Sequence, residues 1–259
     1  DTHIKGYSDI DLLVICEKYY SYDSASVKQI LASYNTRYSY SQLSKLRSID
    51  NASPYTGNVY DDLRTIRVQS ESILSRKYLK CDISHPKAIK ITNQDLHRDV
   101  DIVTAGWYDN VNSITYRGIQ VYDKVANNRC AADYPFLSIE RINTKSVNTG
   151  GRLKRMIRFL KNIKADSKQK IDLSSFDINA ICYNIDIDAY KDLHYLYLVT
   201  IVFLQLHKIA YDESYANSIT SVDGKEYIFR GNNKRREVAT MLQNVSTIYS
   251  ILKEQHLII

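Results

Sequence analysis

The alternation of acidic and branched apolar residues near the start of the chain most constrains its fold. The segment Ser8-Asp9-Ile10-Asp11-Leu12-Leu13-Val14-Ile15 has the pattern of a strand, in which successive side chains point to opposite faces. Asp9 and Asp11 therefore leave the same face, and the apolar residues that follow them supply the other. Two like charges held this close favour a bound cation, and carboxylate oxygens suit Mg²⁺ accompanied by substrate phosphates. The pattern indicates a phosphoryl-transfer site built on a sheet.

A second segment repeats the alternation. His97-Arg98-Asp99-Val100-Asp101-Ile102-Val103-Thr104 is also typical of a strand, and Asp101 would supply a third carboxylate if the two strands were neighbours. Three carboxylates can hold two metal ions, one beside an attacking hydroxyl and one beside a departing pyrophosphate. Short acidic motifs also recur by chance on the solvent face of amphipathic strands. Two such pairs, each within a strand pattern, favour the metal-site interpretation.

Bulk properties narrow the class of protein. The net charge of +6 over 259 residues suits anionic ligands such as nucleotides, and neither a long basic tract nor an aromatic RNA-binding motif calls for nucleic acid. The four cysteines are far apart, as expected of reduced thiols. The longest apolar stretch is too short to span a bilayer, and no signal peptide opens the chain. We therefore expect a cytoplasmic protein with no membrane partner.

The chain changes character near its middle, which predicts two lobes. Residues 1–135 contain most of the strand patterns and one helical pattern from Asp61 toward Leu79, whereas residues 136–259 are mainly helical. Strands are expected over residues 88–92, 99–104 and 116–122, and later helices over residues 153–163, 174–183, 188–210 and 235–253.

Two features of the second half suit phosphate. On the first predicted helix, Lys154, Arg158 and Lys161 form a basic stripe, which exposed helices also carry for solubility alone. Further on, Leu173-Ser174-Ser175-Phe176-Asp177 has the pattern of a capping box at a helix start. Either it only caps the helix, or its hydroxyl and amide donors also bind phosphate while Phe176 stacks on a base.

Together these segments resemble the bacterial cGAS/DncV-like nucleotidyltransferases, a family of the DNA polymerase β-like superfamily, over almost the whole chain. The resemblance rests on the two acidic strands, on Gly151-Arg152-Leu153 with the helix that follows, and on Leu173-Ser174-Ser175-Phe176. It implies an α+β fold with a polymerase β-like mixed sheet core and a mainly helical C-terminal lobe. It also implies an enzyme that uses two Mg²⁺ ions, or Mn²⁺ in their place, to join nucleoside triphosphates into a cyclic oligonucleotide signal for antiphage defence.

The resemblance carries over to individual positions. Asp9, Asp11 and Asp101 match the metal-binding, catalytic acids, and Asp101 would also position or deprotonate the attacking ribose hydroxyl. Ser175 matches the serine that contacts the donor triphosphate, and Phe176 takes the place of the aromatic residue that stacks on a base.

The remaining nucleotide-binding positions are less sharply fixed. Lys161 is the preferred match for the phosphate-binding lysine, with Arg158 and Lys164 as alternatives because the helix register is not fixed by sequence. Ser8, directly before the paired acids, is a further nucleotide-binding candidate. The Gly-Ser pair of the family motif lies roughly ten residues upstream of the acids. We therefore expect the natural chain to begin before Asp1.

The sequence leaves several alternatives open. The substrates would be ATP, GTP or both, and pyrimidine nucleotides are not excluded, while ring size and linkage are not determined. Proteins of a defence operon are expected regulators or effectors. Other interpretations are a nucleotidyltransferase that acts on RNA, a protein or a small molecule, and a catalytically silent nucleotide-binding module.

Overall fold

The structure, a computed structural model, describes residues 10–33, 37–94, 98–109, 117–231 and 233–258. Ser8 and Asp9 lie outside these ranges. The described chain divides into two compact units, one extending through Phe136 and the other starting at Leu137.

A six-stranded mixed sheet forms the centre of the first unit. Strand β4 shares its edges with the antiparallel strands β3 and β5 and with β1, which runs parallel to it. The path of antiparallel neighbours is β2-β3-β4-β5-β6. The strands are β1 (Ile10–Tyr22), β2 (Cys81–Asp82), β3 (Ile89–Asn93), β4 (Arg98–Asp109), β5 (Gly118–Asp123) and β6 (Asn128–Asp133).

Three helices accompany this sheet: α1 (Ser24–Ala32), α2 (Tyr40–Asp50) and α3 (Val59–Lys77). The longest, α3, begins after Asn58, whose side chain accepts hydrogen bonds from the next turn, and it has acids in its first turn and cations in its last. This charge order complements the helix dipole. Leu63 of α3 is fully buried against the sheet.

Arg67 on α3 is a fully buried charge whose donors are satisfied. Its guanidinium pairs with Glu71 and donates to the carbonyl oxygens of His85, Pro86 and Ala88. Burial of an unpaired charge is costly, and these partners offset that cost for the guanidinium of Arg67. The same contacts also fix the segment that leads into β3.

The described residues of the second unit form helices and one isolated antiparallel bridge, between Thr220 and Tyr227. Its hydrophobic core is formed mainly by apolar side chains of α5, α6, α7 and α9. Its helices are α4, which starts just before the unit, α5, α6, α7, α8 and α9, spanning Pro135–Val147, Arg152–Asp166, Ser175–Tyr183, Leu198–Tyr211, Glu213–Ser218 and Lys234–Glu254.

The predicted helix over residues 188–210 was wrong at its start. Helix α7 begins only at Leu198, after two short 3₁₀ turns. In those turns the Asp186 carboxylate accepts a hydrogen bond from Asp188 N, and His194 Nδ1 accepts one from Leu196 N. Such local side-chain bonds compete with helical backbone bonding. Strand β6 and helix α4 were not predicted.

The expected α+β class, with a sheet core and a helical C-terminal lobe, is confirmed. All four cysteines are described, and none of them forms a disulfide. None of the helices in the described residues is both long enough and apolar enough to cross a membrane.

Candidate functional site

Two of the three predicted catalytic acids lie side by side in the sheet. The parallel register of β1 and β4 places Asp11 opposite Asp101, with Ile10 opposite Val100 and Leu12 opposite Ile102. Val100 and Ile102 are buried beneath the sheet, so the alternation sends the two aspartates to the other face. Neighbouring strands lie about 4.8 Å apart, which brings both carboxylates within reach of a shared cation.

A cleft of about 420 Å³ opens on this face of the sheet, and Asp101 is among the residues that line it. Asp99, on the same face, accepts a 2.7 Å hydrogen bond from the Thr92 hydroxyl. Asp82, at the far side of the cleft, accepts a hydrogen bond from Ser84 and pairs with His85. Hydrogen bonding from Ser84, assisted by His85, holds the pKa of Asp82 below its usual range.

Lys90 supplies a cation to this row of acids. It lies opposite Asp101 in the antiparallel β3–β4 pair, and its ammonium is 3.2 Å from Asp101 Oδ2. Sequence reasoning missed this residue. The alternation Ile89-Lys90-Ile91 is typical of a strand, but the pairing of Lys90 with Asp101 follows only once β3 is paired with β4.

The donor set fits a divalent cation with hard-oxygen preference. Asp11 and Asp101 offer only carboxylate oxygens, which suit Mg²⁺ and Mn²⁺ better than softer metals. Among the described residues no group of three potential metal ligands comes together. The third predicted ligand, Asp9, lies outside those residues.

Helix α5 carries the predicted phosphate-binding cations of the second unit. Its start is set by Gly150 and Gly151, both with positive φ, a conformation that costs other residues strain. Lys161 and Arg158 are both half-buried on this helix. Lys164 instead directs its ammonium to the carbonyl oxygen of Leu173, at 2.7 Å. It therefore anchors the segment that leads to Ser175.

Ser175 begins helix α6, and the predicted capping box precedes it. Asp177 N donates to Ser174 Oγ, while both Ser174 N and Ser174 Oγ donate to Asp177 Oδ2. The other oxygen of Asp177 pairs with the Lys234 ammonium at 2.7 Å. Asp177 is only 1% exposed, so this helix start is firmly fixed while Ser175 itself stays exposed.

The far end of α6 is held by Lys145, which is half-buried. Lys145 donates to the carbonyl oxygens of Tyr183 and Ile185, and its ammonium lies over the Tyr183 ring. Burial lowers the pKa of Lys145. Phe176, at the first turn of the helix, is half-buried against the core of the unit.

Arg158 also borders a cleft of about 350 Å³ between α5 and α7. Another wall of this cleft is Tyr195, whose ring lies 3.9 Å from the guanidinium carbon of Arg155. The apolar floor of the cleft is formed by Met156, Leu198 and Val202.

Comparisons with known proteins identify the family of this chain. Residues 140–250 match the model of the cGAS/DncV-like nucleotidyltransferase C-terminal helical domain. The chain is 49% identical over 261 residues to a c-di-GMP synthase of Capnocytophaga granulosa, covering 98% of this chain and 74% of that protein. It is 45% identical over 253 residues to a c-di-GMP synthase of a Lachnospiraceae bacterium, covering 94% of this chain and 72% of that one.

A solved structure extends the likeness to three dimensions. The STING-associated CdnE c-di-GMP synthase from Flavobacteriaceae sp. superposes with a TM-score of 0.87 at 39% identity. The match covers 98% of this chain and 74% of that structure.

Proposed function

Because this chain belongs to the cGAS/DncV-like nucleotidyltransferases, we propose that it condenses two molecules of GTP into c-di-GMP and releases two molecules of pyrophosphate. The family is one of nucleotidyltransferases that synthesise cyclic oligonucleotides. The choice of GTP is supported by 45% and 49% identity to enzymes that bear the name c-di-GMP synthase.

The observation that carries the chemistry is the register of Asp11 opposite Asp101 on the open face of the sheet. We propose that these two acids, together with Asp9, hold two Mg²⁺ ions, for which Mn²⁺ can substitute. When bound, the ions supply charge neutralisation for the triphosphate and for the departing pyrophosphate. Asp101 orients the ribose hydroxyl that attacks the α-phosphorus and accepts its proton.

The second unit would bind the nucleotides. The exposed Ser175 hydroxyl and the amides at the start of α6 donate hydrogen bonds to phosphate oxygens, favoured by the helix dipole. Lys161 and Arg158 add positive charge, and Phe176 stacks on a base. Lys164 acts through the Leu173 carbonyl, keeping Ser175 in place.

The reaction proceeds in two rounds with the same balance of atoms. In each round one ribose hydroxyl forms a bond to an α-phosphorus, one phosphoanhydride bond breaks, and one pyrophosphate leaves. The first round gives a linear dinucleotide, and the second closes the ring. The relatives named as STING-associated support a signalling role. We propose that c-di-GMP from this enzyme signals to a receptor of that class in antiphage defence.

The test is product analysis by mass spectrometry. Incubation with GTP, Mg²⁺ and the other nucleoside triphosphates in turn is expected to give phosphatase-resistant c-di-GMP from GTP alone. Asp101→Asn is expected to lower the rate at least a thousandfold, on the order of the loss of a central electrostatic group. Asp99→Asn is the matched control, since Asp99 lies two residues away on the same face and bonds Thr92.

Other products would redirect the assignment. Linear dinucleotides alone would remove the cyclisation step, and transfer of nucleotides to RNA or protein would place the enzyme in another branch of the superfamily. GTP binding without pyrophosphate release would indicate a silent nucleotide-binding module.

A further inference from the structure

Lys90 lies within a row of charges that crosses four strands. Reading across the sheet, the register pairs Asp82 of β2 with Lys90 of β3, Lys90 with Asp101 of β4, and Asp101 with Asp11 of β1. All four side chains therefore share the face that carries the proposed metal ligands.

The lysine is committed to Asp101 rather than to its other neighbour. Its ammonium is 3.2 Å from Asp101 Oδ2, while Asp82 is engaged by Ser84 and His85. Lys90 is 43% exposed and Asp101 is 21% exposed. An ion pair so accessible to water contributes little to folding stability, so stability alone does not account for a lysine at this position.

The consequence concerns cation binding. The ammonium pairs with the same carboxylate that a divalent ion would use, and Asp101 in turn lies opposite Asp11. Lys90 therefore offsets the charge of Asp101, and it competes with a metal that approaches without a nucleotide.

We infer that Lys90 is a positioning residue that orders Asp101 in the metal-free protein and weakens metal binding until a nucleoside triphosphate arrives. The inference rests on the proposed function of the two aspartates. The phosphates of the nucleotide add negative charge, which offsets the repulsion between lysine and metal. Metal and nucleotide are then expected to bind together rather than in either order.

The test is a calorimetric titration of the full chain with Mn²⁺ and no nucleotide. Lys90→Gln is expected to bind Mn²⁺ about fifteenfold more tightly, from the loss of one positive charge about 5 Å from a divalent ion at a dielectric close to that of water. Lys90→Arg, which keeps the charge, is expected to resemble the parent. Lys80→Gln is the matched control, because Lys80 lines the same cleft and is not the partner of Asp101.

Equal Mn²⁺ affinity in the parent and in Lys90→Gln would overturn the inference, as would an equal gain in Lys80→Gln. Thermal unfolding in the presence of a chelator checks that each variant is folded, and Lys90→Met, which also removes the charge, repeats the test if Lys90→Gln is not. If Asp101→Asn binds Mn²⁺ as the parent does, the metal site of the proposed function fails and the inference falls with it. Synthesis of c-di-GMP is assayed separately, so failure of the substrate assignment is distinguishable from failure of the lysine assignment.

Discussion

Replacing Asp177 with alanine is expected to destabilise the second unit strongly, although the side chain is a single carboxylate. One oxygen accepts hydrogen bonds from Ser174 N and Ser174 Oγ, at 2.8 and 2.7 Å, and the other pairs with Lys234. The variant loses the reciprocal half of the capping box and the ion pair with the Lys234 ammonium. Because the carboxylate is buried, each of these contacts contributes to the stability of the second unit.

The magnitude follows from the contacts. Hydrogen bonds to a charged acceptor contribute about 1.5 kcal/mol each, and loss of one partner of a buried ion pair costs more. Lys234 is 40% exposed and can regain water, so its share is small. We expect a loss of about 3 kcal/mol in the free energy of unfolding, which corresponds to a fall in Tm of about 10 °C.

The chain contains a matched control for burial. Lys191 and Asp188 form an ion pair of the same 2.7 Å length, but Asp188 is 72% exposed. Asp188→Ala is therefore expected to change Tm by less than about 2 °C. Differential scanning calorimetry measures both variants, and equal Tm values would refute the reasoning that burial determines the strength of the pair. The KM for GTP should rise in Asp177→Ala alone, because Ser175 follows directly on the capping box.

Three further outcomes are expected. Arg67→Lys keeps the charge, but an ammonium cannot reach all four partners of the guanidinium. Urea unfolding should therefore show a loss of about 2 kcal/mol in the free energy of unfolding, and no loss would contradict this role of the guanidinium. Gly151→Ala should lose about 1 to 2 kcal/mol by the same assay, since φ is +83° and an added Cβ meets nothing within 4 Å. An unchanged free energy of unfolding would contradict the strain expected at this φ. Burial raises the pKa of Tyr190, so its stabilising effect is complete below pH 10 and is lost as pH rises above it. Tyr190→Phe should flatten the decline in unfolding free energy between pH 10 and 11.5, and an unchanged slope would contradict this.

The sequence predicted what local periodicity determines. Alternation with a period of two correctly predicted strands at Asp11 and Asp101, and helical spacing with a serine cap predicted α6 correctly. The start of α7 was wrong because the side chains of Asp186 and His194 bond locally to the backbone and hold two 3₁₀ turns. Those bonds are local, but they leave no periodic signal in the sequence.

Charge partners were harder to predict because they depend on strand register and on helices distant in sequence. Lys90 gains a role only when β3 pairs with β4, and Lys234 lies 57 residues from the carboxylate that it neutralises. Neither pairing has a local pattern. The roles of Lys161, Ser175 and Phe176 remain predictions. The Asp177→Ala variant tests them only indirectly, because it perturbs the helix start that carries Ser175.

Burial separates two lysine–aspartate pairs that look alike in chemistry. The carboxylate of Asp177 is 1% exposed and is bonded on both oxygens, so loss of its lysine would leave a buried negative charge without an ion-pair partner of its own. The carboxylate of Asp101 is 21% exposed beside an open cleft, so water and ions can reach it while its lysine moves aside. The first pair is therefore suited to holding the start of helix α6 in place. The second is suited to releasing the Asp101 carboxylate so that it can bind a metal ion. Replacing Lys234 should consequently change Tm with little effect on the affinity for metal. Replacing Lys90 should change the affinity for metal with little effect on Tm.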